Sequence, residues 1–209
     1  RYSAKWRNPD NRWRRLLHGG VEGKRVLDFG CGFGLEALQF AQAGCDLVLV
    51  DLSVWNVRLA LRLLRLHGFG DQVIRASLAT AEPPYFECPP GSVDVFYACG
   101  VLHHLPYPRE VLLRAREVLT PGGEVRLMLY TDRAWELTTG APVPPVSDDP
   151  LQNPLGARFR CALDSVGYFA DWYSRERLEH RFGDAFEVAS YEYLTRDGAY
   201  AAATLRPRP

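Results

Sequence analysis

The residues with the most chemical content lie near the start of the chain. Val26-Leu27-Asp28-Phe29-Gly30-Cys31-Gly32-Phe33-Gly34 is an apolar run that ends in an acid and enters a loop with glycine at every second position. Glycines there let the backbone take positive φ and let a ligand approach with no Cβ in the way. Free N–H groups at the start of a following helix favour an anionic or electron-rich ligand group. A second acid, Asp51, closes another apolar run, Cys45 to Val50, and Leu52 and Ser53 follow it. A carboxylate at the tip of such a strand can accept both hydroxyls of an adenosine ribose. Ser53 also reads as a helix N-cap. A third group is His103-His104. Imidazole titrates near neutrality and suits a general base.

Strands and helices in alternation must position these groups. Arg25–Phe29 reads as a buried strand, 34–43 as a helix stopped by Gly44, and Cys45–Val50 as a second strand. A strand-helix-strand unit of this length is a right-handed parallel crossover. Val54–His67 reads as the next helix, and Asp71–Ala76 as a weaker third strand followed by a loop, Ser77-Leu78-Ala79-Thr80. Ser92–Ala98 is the fourth strand. In doubly wound sheets ligands sit at the carboxyl ends of strands where the order reverses, so the segment with Cys99, Gly100, His103 and His104 should line a cleft. Pro108–Leu119 is a helix with Leu112, Leu113, Ala115 and Leu119 toward the sheet. Thr120-Pro121-Gly122-Gly123 reads as a turn, and Glu124–Tyr130 as the fifth strand.

Thr131–Tyr173 has five prolines and little periodicity, and reads as an irregular substrate lid, with Phe159, Phe169, Trp172 and Tyr173 needing burial. Ser174 caps a short helix to Phe182. Phe186–Leu194 and Ala199–Leu205 form a hairpin around Asp197-Gly198. The fold class expected is α/β: a doubly wound seven-stranded sheet, mostly parallel, with a C-terminal antiparallel hairpin, in a single domain over 1–209. Residues 1–20 are a basic arm with an apolar side. It reads as a short helix packed on the domain, or as a lid over a ligand with Tyr2 or Arg7 near its polar end.

The composition narrows the partners. Twenty-five Lys and Arg balance 25 Asp and Glu, so a general nucleic-acid or anionic-membrane surface is not expected. No apolar run approaches a membrane span, and no signal peptide is expected. Five scattered cysteines with no C-x-x-C pair suit a reducing, cytoplasmic compartment. No metal site is expected, because His and Cys do not cluster and His103 and His104 cannot both face one point on a regular strand or helix. Oligomeric state is not readable.

The glycine spacing separates two kinds of loop. A dinucleotide fold wants G-x-G-x-x-G; here Leu35 takes that last position, and the third glycine comes early, at Gly34. The D-x-G-x-G-x-G pattern resembles motif I of the class I S-adenosylmethionine-dependent methyltransferases. The run from Asp94 to Pro106, D-V-F-Y-A-C-G-V-L-H-H-L-P, resembles the segment after strand four in the small-molecule subgroup that includes ubiquinone and menaquinone biosynthesis enzymes. L-T-P-G-G from Leu119 is a third signature of that family.

The resemblance implies a Rossmann-like fold and methyl transfer from S-adenosyl-L-methionine to an O, N or C atom of a small-molecule metabolite. It places the cofactor on Asp28, Gly30, Cys31, Gly32, Gly34, Asp51, Leu52, Ser53, Ser77, Leu78, Cys99 and Gly100, with Tyr2 from the arm. His103 is the preferred general base, with His104 and Tyr130 behind it. The family commonly carries an acid or amide for the adenine amino group at Ser77–Thr80; neither is present, so the Ser77 hydroxyl or a backbone carbonyl must substitute. Glu82-Pro83-Pro84-Tyr85 resembles the [DN]-P-P-[YF] motif of amino-methylating DNA enzymes. It precedes the fourth strand and carries Glu, so it reads as a proline-rich loop near the adenine. Two other readings stand beside this one: a non-catalytic S-adenosylmethionine-binding module, and an NAD-dependent oxidoreductase, which the early Gly34 disfavours.

Overall fold

The structure, a computed structural model, describes residues 12–163 and 168–209. Seven strands, β1 (Arg25–Phe29), β2 (Asp46–Asp51), β3 (Val73–Leu78), β4 (Val93–Cys99), β5 (Leu119–Tyr130), β6 (Phe186–Tyr193) and β7 (Tyr200–Pro207), form one sheet in the order β3-β2-β1-β4-β5-β7-β6. β1 runs parallel to β2 and β4, and β2 to β3, while β6 and β7 are antiparallel. The helices are α1 (Arg12–His18), α2 (Leu35–Gln42), α3 (Val54–Leu66), α4 (Pro108–Val118), α5 (Asp132–Thr139), α6 (Gly156–Leu163) and α7 (Arg175–Phe182). This is the expected seven-stranded α/β architecture with its antiparallel C-terminal pair. No helix among the described residues is long and apolar enough to cross a membrane. The residues gather into two compact units, described in turn.

The first unit holds residues 18–99 and 111–126. Its central strands are apolar on both faces: Val26, Leu27, Leu47, Leu49 and Val50 are fully buried, as parallel strands covered by helices require. The parallel register pairs Asp28 with Leu49 and Phe29 with Val50. Ser53 caps α3 by accepting the Asn56 N–H.

Beyond shifts of a residue or two at element ends, three details differ from the sequence reading. β3 lies two residues later than expected, because Gly70–Gln72 forms a 3-10 turn and pairing with β2 begins at Val73. Ser77 and Leu78 are therefore the last two strand residues, not a loop. On α4, Leu113 is 36% exposed, and Val111 and Val118 are buried instead beside Leu112 and Ala115, while Leu119, also buried, opens β5. Thr120-Pro121-Gly122-Gly123 is not a turn but the start of β5. The Thr120 hydroxyl donates to Asp94 Oδ1 at 2.9 Å, and a Cβ on Gly123 would stand 3.0 Å from the Thr120 carbonyl oxygen and 3.1 Å from that of Asp94. Glycine serves close backbone approach here, a use that looks like turn punctuation in sequence.

The second unit holds the remaining described residues. Asp197-Gly198 turns the chain into β7, with Gly198 at φ 73° and Asp197 Oδ1 accepting from Thr195 Oγ1 and Ala199 N. The 131–173 stretch is not irregular throughout, because it contains α5 and α6. α5 is short, capped by Thr131 and stopped by Gly140 in the left-handed region, so its periodicity is brief. The five prolines all fall between the two helices. Phe159, Phe169, Trp172 and Tyr173 are buried as expected, and Trp135, Phe159 and Trp172 share one apolar cluster.

Candidate active site

In the first unit the glycine loop folds back on β2. Gly30 and Cys31 both donate N–H to the Val50 carbonyl, at 2.7 and 3.0 Å. Gly30, Gly32 and Gly34 take φ of 79°, 52° and 83°, values that only glycine adopts without strain. The last two serve different ends. A Cβ on Gly34 would stand 2.8 Å from Ala60 Cα, so this glycine lets α2 and α3 pack closely. A Cβ on Gly32 would meet nothing within 4 Å, so this glycine faces open space.

Asp51, buried at the tip of β2, holds that loop. Its Oδ2 accepts the Gly32 N–H at 2.9 Å, and its Oδ1 accepts the Ser53 N–H at 2.8 Å and the Asn56 side-chain amide at 3.0 Å. A carboxylate offers about four lone-pair sites, and three are in use. The acid expected as a ribose acceptor is thus first a clasp between loop and helix. Leu52 beside it is 68% exposed. Burial, then Asp28 and Asp51, push the Cys31 thiol far up, so it is inert as a nucleophile.

Asp28 is buried, and its Oδ2 has no hydrogen-bond partner among the described residues. Burial, then Glu36 and Asp51, raise its pKa well above the ordinary value. Glu36 ties three elements together: its Oε2 accepts the Tyr97 hydroxyl at 2.8 Å and lies 2.6 Å from His18 Nε2. Nothing in the sequence joined these three, which come from α1, α2 and β4. Burial raises the Tyr97 phenol and the Cys99 thiol well above their usual values. At the end of β3, Ser77 and Leu78 line a cavity of about 290 Å³ with Thr80, Pro84, Phe86 and Glu87. The Ser77 Oγ is buried without a partner among the described residues.

These features suit separate polar groups of an S-adenosylmethionine-type ligand. The loop is open at Gly32, an orphaned buried acid suits a cationic group, and the cavity holds an orphaned hydroxyl near the Asp51 strand tip.

The second unit holds Gly100, His103, His104 and Tyr130. Gly100 takes φ 74° and donates to the Met128 carbonyl at 3.2 Å. The histidines sit in a 3-10 turn, Leu102–His104, so the limit for regular elements does not bind them: their ring centroids are 4.5 Å apart. His103 stacks on Tyr130 at 3.8 Å, and His104 meets the same ring edge-on at 5.4 Å.

Their hydrogen bonds give them opposite characters. His103 is fully buried and its Nδ1 accepts the Tyr130 N–H at 3.0 Å. In the neutral ring the proton is then on Nε2, which has no partner among the described residues. Burial, then His104, hold its pKa well below 6.5. His103 is therefore built as a neutral donor, which departs from its expected role as base. His104 Nδ1 lies 3.0 Å from the Phe169 carbonyl oxygen. A carbonyl only accepts, so in the neutral ring Nδ1 carries the proton and Nε2 is the acceptor. The Tyr130 hydroxyl donates to the Leu163 carbonyl at 3.1 Å. Tyr2 lies outside the described residues.

One cluster in this unit escaped the sequence reading. Asp171 and Arg177 form an ion pair at 2.9 Å with both side chains fully buried, and Arg181 reaches the other carboxylate oxygen at 2.5 Å. Arg177 also donates to the Val146 and Asp148 carbonyls, and its guanidinium lies 4.3 Å from the Trp172 ring centroid. The Asp171 N–H donates to the His103 carbonyl at 2.9 Å. An Arg pair spaced i, i+4 on a polar helix gives no sequence sign of burial.

A sheet that reverses its order at β1 and β4, with an open glycine loop after β1 and an acid at the tip of β2, is a doubly wound α/β arrangement, whose ligands sit at the carboxyl ends of such strands. Residues 5–189 match the family described as Methyltransferase domain, and the chain belongs to that family. The ubiquinone biosynthesis O-methyltransferase of Bordetella avium is 33% identical over 113 residues, covering 54% of this chain and 45% of the relative. The chain spans about half the length of the curated relatives it matches. Among solved structures, the CcbJ methyltransferase from Streptomyces caelestis superposes with a TM-score of 0.70 at 18% identity, covering 97% of this chain and 91% of that one. An S-adenosylmethionine-dependent methyltransferase from Mesorhizobium loti gives 0.67 at 16% identity, covering 94% and 97%. These two likenesses concern the fold. The motif resemblance to methyltransferases is borne out by the family match.

Proposed function

We propose that this chain transfers the methyl group of S-adenosylmethionine to an oxygen, nitrogen or carbon of a small hydroxylated, phenolic or amine metabolite. The observation that carries this reading is the open Gly32 loop clasped by Asp51. When bound, the cofactor supplies a methyl group on a sulfonium, open to in-line displacement. The protein's task is then positioning, which can be worth roughly 7–11 kcal/mol. Asp51 shares its remaining lone-pair site with the ribose, Asp28 offers its orphaned oxygen to the ammonium end, and Ser77 Oγ meets the adenine edge. His104, with Nε2 as acceptor, takes the proton of a hydroxyl or amine acceptor; His103, with Nε2–H as donor, orients it. This assigns the base to the second histidine rather than the first. The 131–173 segment serves as the substrate-binding insertion of a single methyltransferase domain.

Calorimetric titration of S-adenosylmethionine and S-adenosylhomocysteine, with wild type beside Asp51→Ala, tests the reading. Saturable binding by wild type, weakened about tenfold or more in the variant, is expected from the loss of a charged hydrogen-bonding partner. Absence of binding by wild type would sink it. Binding without turnover across hydroxylated, phenolic and amine acceptors would leave a binding module instead.

A further inference from the structure

The neutral net charge of the chain is an average that hides one asymmetric element. α3 carries Arg58, Arg62 and Arg65 and has no Asp, Glu or Lys between Val54 and Leu66. It buries Val57, Ala60 and Leu64. The opposite side is not the polar face that a solvated helix normally shows. Trp55, Leu59, Arg62 and Leu66 follow one another at i, i+4, i+7 and i+11, which is a single stripe of a helix with 3.6 residues per turn. Trp55 is 67% exposed, Leu59 46% and Leu66 74%. Arg58, Arg62 and Arg65 are exposed as well, and the Arg58 guanidinium lies 5.2 Å from the Trp55 ring centroid.

We propose that this outer face of α3 docks the protein on an anionic bilayer surface. Charge complementarity selects that occupant. A second copy of the chain meeting this face across a twofold axis would set Arg62 and its neighbours against their own equivalents, with no acid on the helix to pair them. Anionic headgroups supply the opposite charge for the arginines, and the acyl boundary takes up Leu59 and Leu66. An indole such as Trp55 is suited to headgroup depth, one end apolar and the other a donor. The helix lies in the plane of the interface with its inner side still packed on the sheet, so docking asks for no unfolding. The expectation of no membrane partner rested on the lack of a long apolar run and on the balanced net charge, and neither of these describes this local face.

The test is co-sedimentation of the whole chain with vesicles of phosphatidylcholine alone or mixed with phosphatidylglycerol, at low and at physiological salt. Binding is expected to the mixed vesicles, weaker at higher salt, with a blue shift of tryptophan fluorescence. Each arginine near a charged surface contributes about 1 kcal/mol, so Arg58→Gln with Arg62→Gln should weaken binding about 30-fold. Trp55→Ser with Leu59→Ser should abolish it and the blue shift together. Circular dichroism melts of both variants should match wild type, since these side chains are exposed. No step uses the cofactor, so the outcome is separate from that of the cofactor titration. Failure to sediment with mixed vesicles at low salt overturns the proposal. So does equal binding to neutral vesicles, or a dimer in sedimentation velocity that Trp55→Ser with Leu59→Ser dissolves, which would assign the face to a second copy.

Discussion

Replacing Arg177 by methionine should destabilise the second unit more than any surface change. The guanidinium is fully buried and donates to the Asp171 carboxylate at 2.9 Å, the Val146 carbonyl at 2.8 Å and the Asp148 carbonyl at 2.9 Å. Breaking a buried pair by removing one partner costs about 3–5 kcal/mol, because the other charge stays behind. Arg181 still reaches Asp171 at 2.5 Å, which pulls the cost toward the lower end. Two orphaned carbonyls push it back up by about 1–3 kcal/mol each where water cannot reach them. Methionine retains much of the apolar stem, so packing changes least. We expect a loss of about 4 kcal/mol, or roughly 8–16 °C in melting temperature for a chain of this length. Arg177→Lys keeps a point charge but not the fork that serves three acceptors, and should fall about midway. Urea unfolding with circular dichroism reads both variants. An Arg177→Met protein within about 1 kcal/mol of wild type would refute the reasoning, since a guanidinium so cheaply removed is not what holds 145–148 and 171 to α7.

Other expectations follow from the glycine loop and the histidines. Gly34→Ala adds left-handed strain of about 1–2 kcal/mol to a Cβ 2.8 Å from Ala60 Cα, whereas Gly32→Ala adds the strain alone. Melting temperature should drop clearly further for Gly34→Ala, while Gly32→Ala should weaken cofactor binding out of proportion to its stability loss. Asp28 has a folded-state pKa raised above 3.8 by burial, Glu36 and Asp51, so the native state holds its proton more tightly than the unfolded chain. Stability then falls as pH rises from 3.8 through the folded value. Asp28→Asn should flatten that limb and raise the neutral-pH melting temperature while weakening cofactor binding; a less stable variant would count against the burial argument. With an acceptor found by screening, His104→Ala should lower kcat about 100-fold with little change in KM. His103→Gln should act mainly on KM; the reverse pattern would return the base to His103.

Where one local signal dominated, the chain was legible. Apolar runs ended by Asp28 and Asp51 marked β1 and β2, Ser53 and Ser174 marked their helices, and Asp197-Gly198 marked the hairpin. Glycine and proline misled where their use was tertiary: Gly123 answers to Asp94 across strands, and the prolines of 140–155 concealed two flanking helices. The histidine pair was found as a candidate, but neither its 3-10 turn nor its division of labour, because tautomers follow partners such as Phe169 that lie far along the chain. The Glu36 junction and the Arg177 cluster were invisible for the same reason. Each joins residues whose types are ordinary on a polar helix, and only burial makes them matter.

Asp51 has one more consequence. Its carboxylate already serves Gly32, Ser53 and Asn56, so any ligand that engages it arrives as a fourth claimant on one pair of oxygens. The fourth lone-pair site stays open beside them, so an arriving ligand meets a carboxylate already fixed from three sides and has no disorder to remove. A change at Asn56 would loosen that carboxylate without altering any atom the ligand touches. Affinity then depends in part on a position that the glycine motif itself does not contain.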